Sequence, residues 1–273
     1  MSPAGSRPGR ALLASAGATA VATMVLHRRP PGGRAAWQRS NYRGTTVDLL
    51  GGPATGVGML AGIASCPGSS ADGALIAVGS ALALGLYDDL APGAQARGLG
   101  GHFAALRRGE LTSGVVKMAG LAVAGLWAAG LGPRSATAVE IGTSALLVAG
   151  TANLVNLFDV RPGRSAKVVI AAGAPLCAGR GAPAHVAAAA VGAALTGLPA
   201  DLAERTMLGD SGANALGAAL GWAASQQLGG RGRLLALTAV VGLTLLSEKV
   251  SFSQVIASQP ALAAVDGWGR QRT

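Results

Sequence analysis

The sequence predicts an all-α protein, a polytopic integral membrane protein of about nine transmembrane helices. Three observations carry that expectation. Half of the 273 residues are hydrophobic and only 12% are charged, against about a quarter in an average soluble protein. Basic residues outnumber acidic ones by 22 to 12 and gather in short segments. Between those segments lie charge-poor stretches close to the roughly 20 residues that cross a bilayer.

In order, the stretches run over residues 11–26, 53–70, 72–87, 114–132, 139–157, 167–180, 183–199, 212–229 and 232–247. The first follows Arg7 and Arg10 but leads to Arg28 and Arg29, not to a small-residue cleavage site, and reads as an uncleaved span. Their hydropathy is diluted by 43 glycines and abundant alanine, residues that pack closely in lipid. No Gly-X-Y period is present, which excludes collagen, and two cysteines, Cys66 and Cys177, exclude a disulfide scaffold. The basic residues lack interleaved aromatics, which argues against nucleic-acid binding.

The positive-inside rule orients the spans. Segments 27–52 (Arg28, Arg29, Arg34, Arg39, Arg43), 88–113 (Arg97, Arg107, Arg108) and 158–167 (Arg161, Arg164, Lys167) alternate with poorer loops near 67–72 and 133–138. Nine spans then put these segments, the 200–211 loop and the C-terminal residues on the cytoplasmic side and the N-terminus outside. Arg7, Arg10, Arg231 and Arg233 run against that count. Residues 1–250 form a single membrane domain and residues 251–273 a short cytoplasmic tail. The expected location is the plasma membrane, multi-pass.

The scarce carboxylates gather at the ends of spans that face the cytoplasm. The third stretch ends in Tyr87-Asp88-Asp89, the fifth in Asn153-x-x-Asn156-x-x-Asp159, and the eighth follows Gly209-Asp210-Ser211-Gly212. The i, i+3, i+6 spacing keeps Asn153, Asn156 and Asp159 on one helix face. Adjacent Asp88 and Asp89 repel unless a cation shares them, which points to a hard divalent metal. Glycines beside Asp210 let backbone approach a ligand. Singly, each cluster also fits a helix cap or an interhelical hydrogen bond. Three clusters on one side, in a chain with 12 carboxylates, point to one site. A transporter would carry such charges nearer mid-span.

These motifs, in this order, resemble the polyprenyl-phosphate N-acetylhexosamine-1-phosphate transferases, the family of the phospho-N-acetylmuramoyl-pentapeptide transferase. Asn41-x-Arg43-Gly44, Gly51-Gly52 and Lys117 extend the resemblance to about residues 40–248. It implies transfer of a sugar 1-phosphate from a UDP-sugar to a polyprenyl phosphate, with release of UMP, in cell-wall glycan assembly. It implies a Mg²⁺ cofactor with Asp210 and Asp88 as ligands, Asp88, Asp89, Asp159 and Lys117 as catalytic residues, and Asn153, Asn156, Arg43 and Ser211 as substrate-binding residues. The partners implied are the lipid phosphate, the nucleotide sugar and a second copy of the chain.

The chain departs from the family in three places. Leu90-Ala91-Pro92-Gly93 follows the Asp pair without a charge. Asp159 is followed by Val160-Arg161 where the family carries a second acidic residue. Its histidines, His27, His102 and His185, lie outside the last loop, where the family has a His-rich motif. These departures imply the alternative, a non-catalytic relative that binds prenyl phosphate or regulates envelope assembly.

Overall fold

The computed structural model describes residues 8–65, 71–91, 107–109, 112–131 and 136–271. The expectations placed on Arg7, Cys66, Pro92, Gly93, Arg97 and His102 lie outside the described residues. Each of the nine charge-poor stretches contains a helix. In chain order these are α1 (Pro8–Arg28), α3 (Gly51–Ala64), α4 (Asp72–Leu90), α5 (Ser113–Gly130), α6 (Ala138–Phe158), α7 (Arg164–Cys177), α8 (Gly181–Leu202), α9 (Gly209–Gln227) and α10 (Gly230–Ser247). Short α2 (Arg34–Trp37) follows α1, and α11 (Phe252–Ser258) and α12 (Pro260–Gly267) follow α10.

Six of the helices, α1, α4, α5, α6, α8 and α10, are long and apolar enough to cross a membrane. The protein is thus an all-α membrane protein. The other three differ for physical reasons. Helices α3 and α7 have 14 residues each, about 21 Å at 1.5 Å per residue, short of a hydrocarbon core of about 30 Å. Helix α9 is long enough, but Gly, Ala, Ser, Asn and Gln lower its hydropathy. It sits at the centre of the bundle, buried almost throughout, and presents little surface that lipid must wet.

Small residues put α9 there. It packs on α6, α4, α8, α3 and α7. A Cβ at Gly221 would come within 2.7 Å of Leu147 O on α6, and one at Gly85 within 2.5 Å of Asp210 O on α9. Backbone therefore meets backbone across both contacts. Alanine-rich α8 closes the other side, and α1 packs on α3 and α8. Helix α10 leans on α6 with no buried residue of its own.

The ends of several helices are written locally. Thr137 and Glu140 form a capping box at the start of α6, and Thr112 Oγ1 accepts the Val115 N–H at the start of α5. Gly163 takes φ 71° ahead of α7, and its N–H donates to Asp201 Oδ2 at 3.0 Å.

Two further features complete the fold. Gln38–Ser40 (β1) and Thr46–Asp48 (β2) form an antiparallel hairpin whose turn is closed by Asn41 Oδ1, which accepts the Arg43 and Thr45 N–H groups. The hairpin is tied to the segment before α9 by the Met207 N–H, which donates to Asp48 O at 2.8 Å. The C-terminal segment carries α11 and α12 and docks on the α6–α7 loop. There Asp266 receives Arg164 and Arg270, Arg270 donates to Pro162 O, and Phe252 stacks on Phe158 with ring centroids 5.0 Å apart.

Candidate functional site

Asp88 and Asp89 end α4, Lys117 lies in the first turns of α5, and Asp210 opens α9. The chain direction alternates, so these ends meet. Lys117 Nζ donates to Asp88 Oδ2 at 2.7 Å and also to Asp210 Oδ2. The ammonium is largely buried, with 11% of its side chain exposed, and stands between two carboxylates. At such depth a lone charge of either sign would be costly, and the ammonium offsets one of the two carboxylate charges beside it.

Asp89 plays a different part from its neighbour. Its Oδ1 accepts the Asp210 N–H at 2.9 Å and its Oδ2 the Ser211 N–H at 3.0 Å. A carboxylate from α4 therefore caps the N-terminus of α9 and complements its dipole. Gly209, at φ 59°, makes the approach feasible, because a Cβ there would stand 2.8 Å from Asp89 Oδ1. Arg39 in turn donates to the Asp89 carbonyl at 2.5 Å, which joins the hairpin to this corner.

Asp159 follows the last residue of α6 and lies within electrostatic reach of Asp201, Asp210 and Asp89. It lines an adjoining cleft of about 490 Å³ together with Asn41, Tyr42, Arg161, Asp201 and Glu204. Arg43 stands at this cleft and not beside Lys117. Its Nη1 pairs with Glu204 Oε1 at 3.3 Å, and Asn41 Nδ2 donates to Glu204 Oε2 at 2.5 Å. Glu204 adopts φ 52°, a strained value for a non-glycine residue, and these two partners hold it there. Arg161 lies over the Tyr42 ring, 3.9 Å from its centroid.

The sequence-derived residues thus fall into two neighbouring groups. Asp88, Asp89, Lys117 and Asp210 make one corner; Asp159 and Arg43 belong to the cleft beside it. Asn153 and Asn156 are half-buried on α6. The Ser211 side chain is fully buried, its hydroxyl turned toward Gly52 of α3.

Sequence reasoning did not single out Asp201 and Glu204, which line the cleft. Asp201 and Glu204 carried the same signal as the others, scarce carboxylates at an end facing the same side, but lay in no recognised motif.

The residues suit a hard cation. The donors are carboxylate oxygens, each of Asp88 and Asp210 has a second oxygen beyond the one Lys117 engages, and buried Asp159 Oδ2 lacks a hydrogen-bond partner. Among the described residues no three His, Cys, Asp or Glu side chains converge as a ready coordination sphere. Lys117 is the positive charge at the junction of Asp88 and Asp210. No protein-family model matches the chain, and no curated protein matches it.

Proposed function

We propose that the protein is a Mg²⁺-dependent transferase that moves a sugar 1-phosphate from a UDP-sugar to a polyprenyl phosphate. The observation that carries this reading is Lys117 held between Asp88 and Asp210 at the head of a buried helix, beside a cleft lined by Asp159. Two anionic substrates must approach each other there, and a compact ammonium on a flexible stem answers that need.

In the proposed reaction an oxygen of the lipid phosphate bonds to the sugar-bearing phosphorus, and the bond from that phosphorus to UMP breaks. Asp88 orients the lipid phosphate and takes its proton if it carries one. Lys117 moves from its carboxylate partners to phosphate oxygens, and Arg43 meets the nucleotide portion from the cleft. Asp89 holds Asp210 in place through the α9 backbone. Asp210 and Asp88 would hold Mg²⁺, which when bound would supply neutralisation of diphosphate charge. The reading includes nine spans, a cytoplasmic-facing site in the plasma membrane and a second copy of the chain as partner.

Arg161 favours a second reading, a non-catalytic prenyl-phosphate binder. Stacked on Tyr42, it places a cation in the cleft near where the resembling family carries its second acidic residue. Purified protein incubated with radiolabelled UDP-sugars and polyprenyl phosphate separates the two. Transferase activity puts label into butanol-extractable lipid, and EDTA abolishes it. No label from any UDP-sugar, with prenyl-phosphate binding intact, overturns the enzyme.

A further inference from the structure

Where α1 ends, the chain turns through Pro30 to Gly33 into α2 and then into the hairpin. The Gly33 N–H closes this turn on Pro30 O at 3.0 Å, and Trp37 Nε1 donates to Pro31 O at 2.7 Å, which fixes the buried indole as a wall. Against that wall lies a second pocket, of about 150 Å³, lined by His27, Arg34, Trp37, Gln38, Asp48 and Arg205 among others. It shares only Val47 with the acidic cleft.

The charges in this pocket are unevenly matched. Asp48 is satisfied: its Oδ1 accepts the Leu50 N–H at 3.0 Å and its Oδ2 lies 3.2 Å from His27 Nε2. His27 Nδ1 lies 2.8 Å from Thr23 O, so both ring nitrogens face acceptors. Arg34 and Arg205 have no such partner; among the described residues neither guanidinium makes an ion pair or a side-chain hydrogen bond. Arg34 opens α2, and Arg205 is tied to β2 through its carbonyl, which accepts the Asp48 N–H at 3.4 Å.

We propose that this pocket binds the phosphate of an anionic lipid headgroup, with Arg34 and Arg205 as its two forks. Guanidinium groups match phosphate oxygens bidentately, and the two of them outnumber the one carboxylate of the pocket, Asp48, which His27 and the Leu50 N–H already engage. The location selects a lipid over a soluble anion. His27 and Arg28 end α1, one of the helices fit to cross a membrane, so the pocket opens at the level where headgroups lie. A pocket of this size takes a phosphate group and leaves the acyl chains along α1. The site is separate from Lys117 and its carboxylates, and the proposal stands whether or not the protein is a transferase.

The test is native mass spectrometry of delipidated protein titrated with phosphatidylglycerol or phosphatidylcholine, with inorganic phosphate as competitor. The expected result is preferential binding of phosphatidylglycerol, weakened about tenfold or more by Arg34→Gln with Arg205→Gln. A double lysine variant, Arg34→Lys with Arg205→Lys, keeps the charge but loses the forks and falls between. Arg28→Gln with Arg29→Gln removes two neighbouring charges that do not line the pocket, and should leave affinity within about twofold. Equal loss in that control reduces the effect to general basic charge and overturns the site. Unchanged binding in the glutamine double variant overturns it as well. Displacement of the lipid by millimolar phosphate assigns the pocket to a free anion and overturns the lipid assignment.

Discussion

Asp89 Oδ1 accepts the backbone N–H of Asp210 at 2.9 Å, so one aspartate of the adjacent pair positions the main chain that carries another aspartate of the site. Asp88, its neighbour in sequence, instead meets Lys117. The pair divides between holding a helix and holding a cation.

Replacing Asp89 by Ala leaves two N–H groups at the head of α9 without an acceptor and is expected to cost about 1–3 kcal/mol of stability. Asp89→Asn retains one acceptor oxygen and should cost less. Thermal unfolding in detergent, compared with the wild type, reads both; equal melting of Asp89→Ala and wild type would show that the cap is dispensable.

Asp210→Asn keeps the size of the side chain and the N–H groups that Asp89 holds, so the fold should survive. The proposed transferase should lose about a hundredfold or more in turnover, through weakened Mg²⁺ binding. Initial rates across a Mg²⁺ titration check this, and full activity of Asp210→Asn excludes Asp210 as a metal ligand.

Lys117→Met leaves Asp88 and Asp210 facing each other without their shared ammonium. Removing one member of a buried ion cluster costs roughly 3–5 kcal/mol. The variant should melt lower than the wild type, and adding Asp88→Asn should restore part of the loss. A double-mutant cycle with no coupling would contradict the shared geometry.

Gly85→Ala introduces a Cβ 2.5 Å from both Asp210 O and Ser211 Cα, atoms that move only if α4 and α9 separate. A loss of several kcal/mol is expected, in the range of severe overpacking. Gly142→Ala, in open space on α6, should be neutral or mildly stabilising. Folded yield and melting temperature of the two variants, side by side, test the close approach.

Burial pushes the Asp266 carboxyl up, but hydrogen bonds from Arg164 and Arg270 prevail and hold it at about 2, below the ordinary value of 3.8. A folded-state value depressed in this way contributes stability that is present above about pH 4 and is lost as pH falls through about 2. The melting difference between wild type and Asp266→Asn should therefore be largest near neutrality and shrink between pH 4 and 2. A difference that does not change with pH would contradict the pairing of Asp266 with Arg164 and Arg270.

Much of the bundle is legible in the sequence, because charge-poor stretches rich in Gly and Ala have few alternatives to helices. Their lengths are less legible. Nothing in the composition of 53–70 says that its helix ends at Ala64, and the low hydropathy of α9 becomes intelligible only once α9 is found buried among its neighbours. The hairpin escaped notice because strands of three residues, with mostly polar side chains, show no usable alternation. Helices α11 and α12, of seven and eight residues, are too short for a periodic signal and owe their place to Phe158, Arg164 and Lys167. Within the site, the aspartates announce themselves by rarity. That Asp89 serves the backbone while Asp88 serves Lys117 depends on side-chain directions that adjacency cannot reveal.

The docking of Asp266 onto Arg164 joins residues 102 positions apart, and the loop it secures begins with Asp159. Synthesis proceeds from the N-terminus, so α4, α5 and α6 are made well before that anchor exists. The residues that line the cleft run from Ser40 to Met207, and the corner around Lys117 needs only α9 in addition, so both are made before α12 arrives. A nascent chain therefore passes through a stage with its ammonium and carboxylates made and its α6–α7 loop not yet pinned by Asp266 and Arg270.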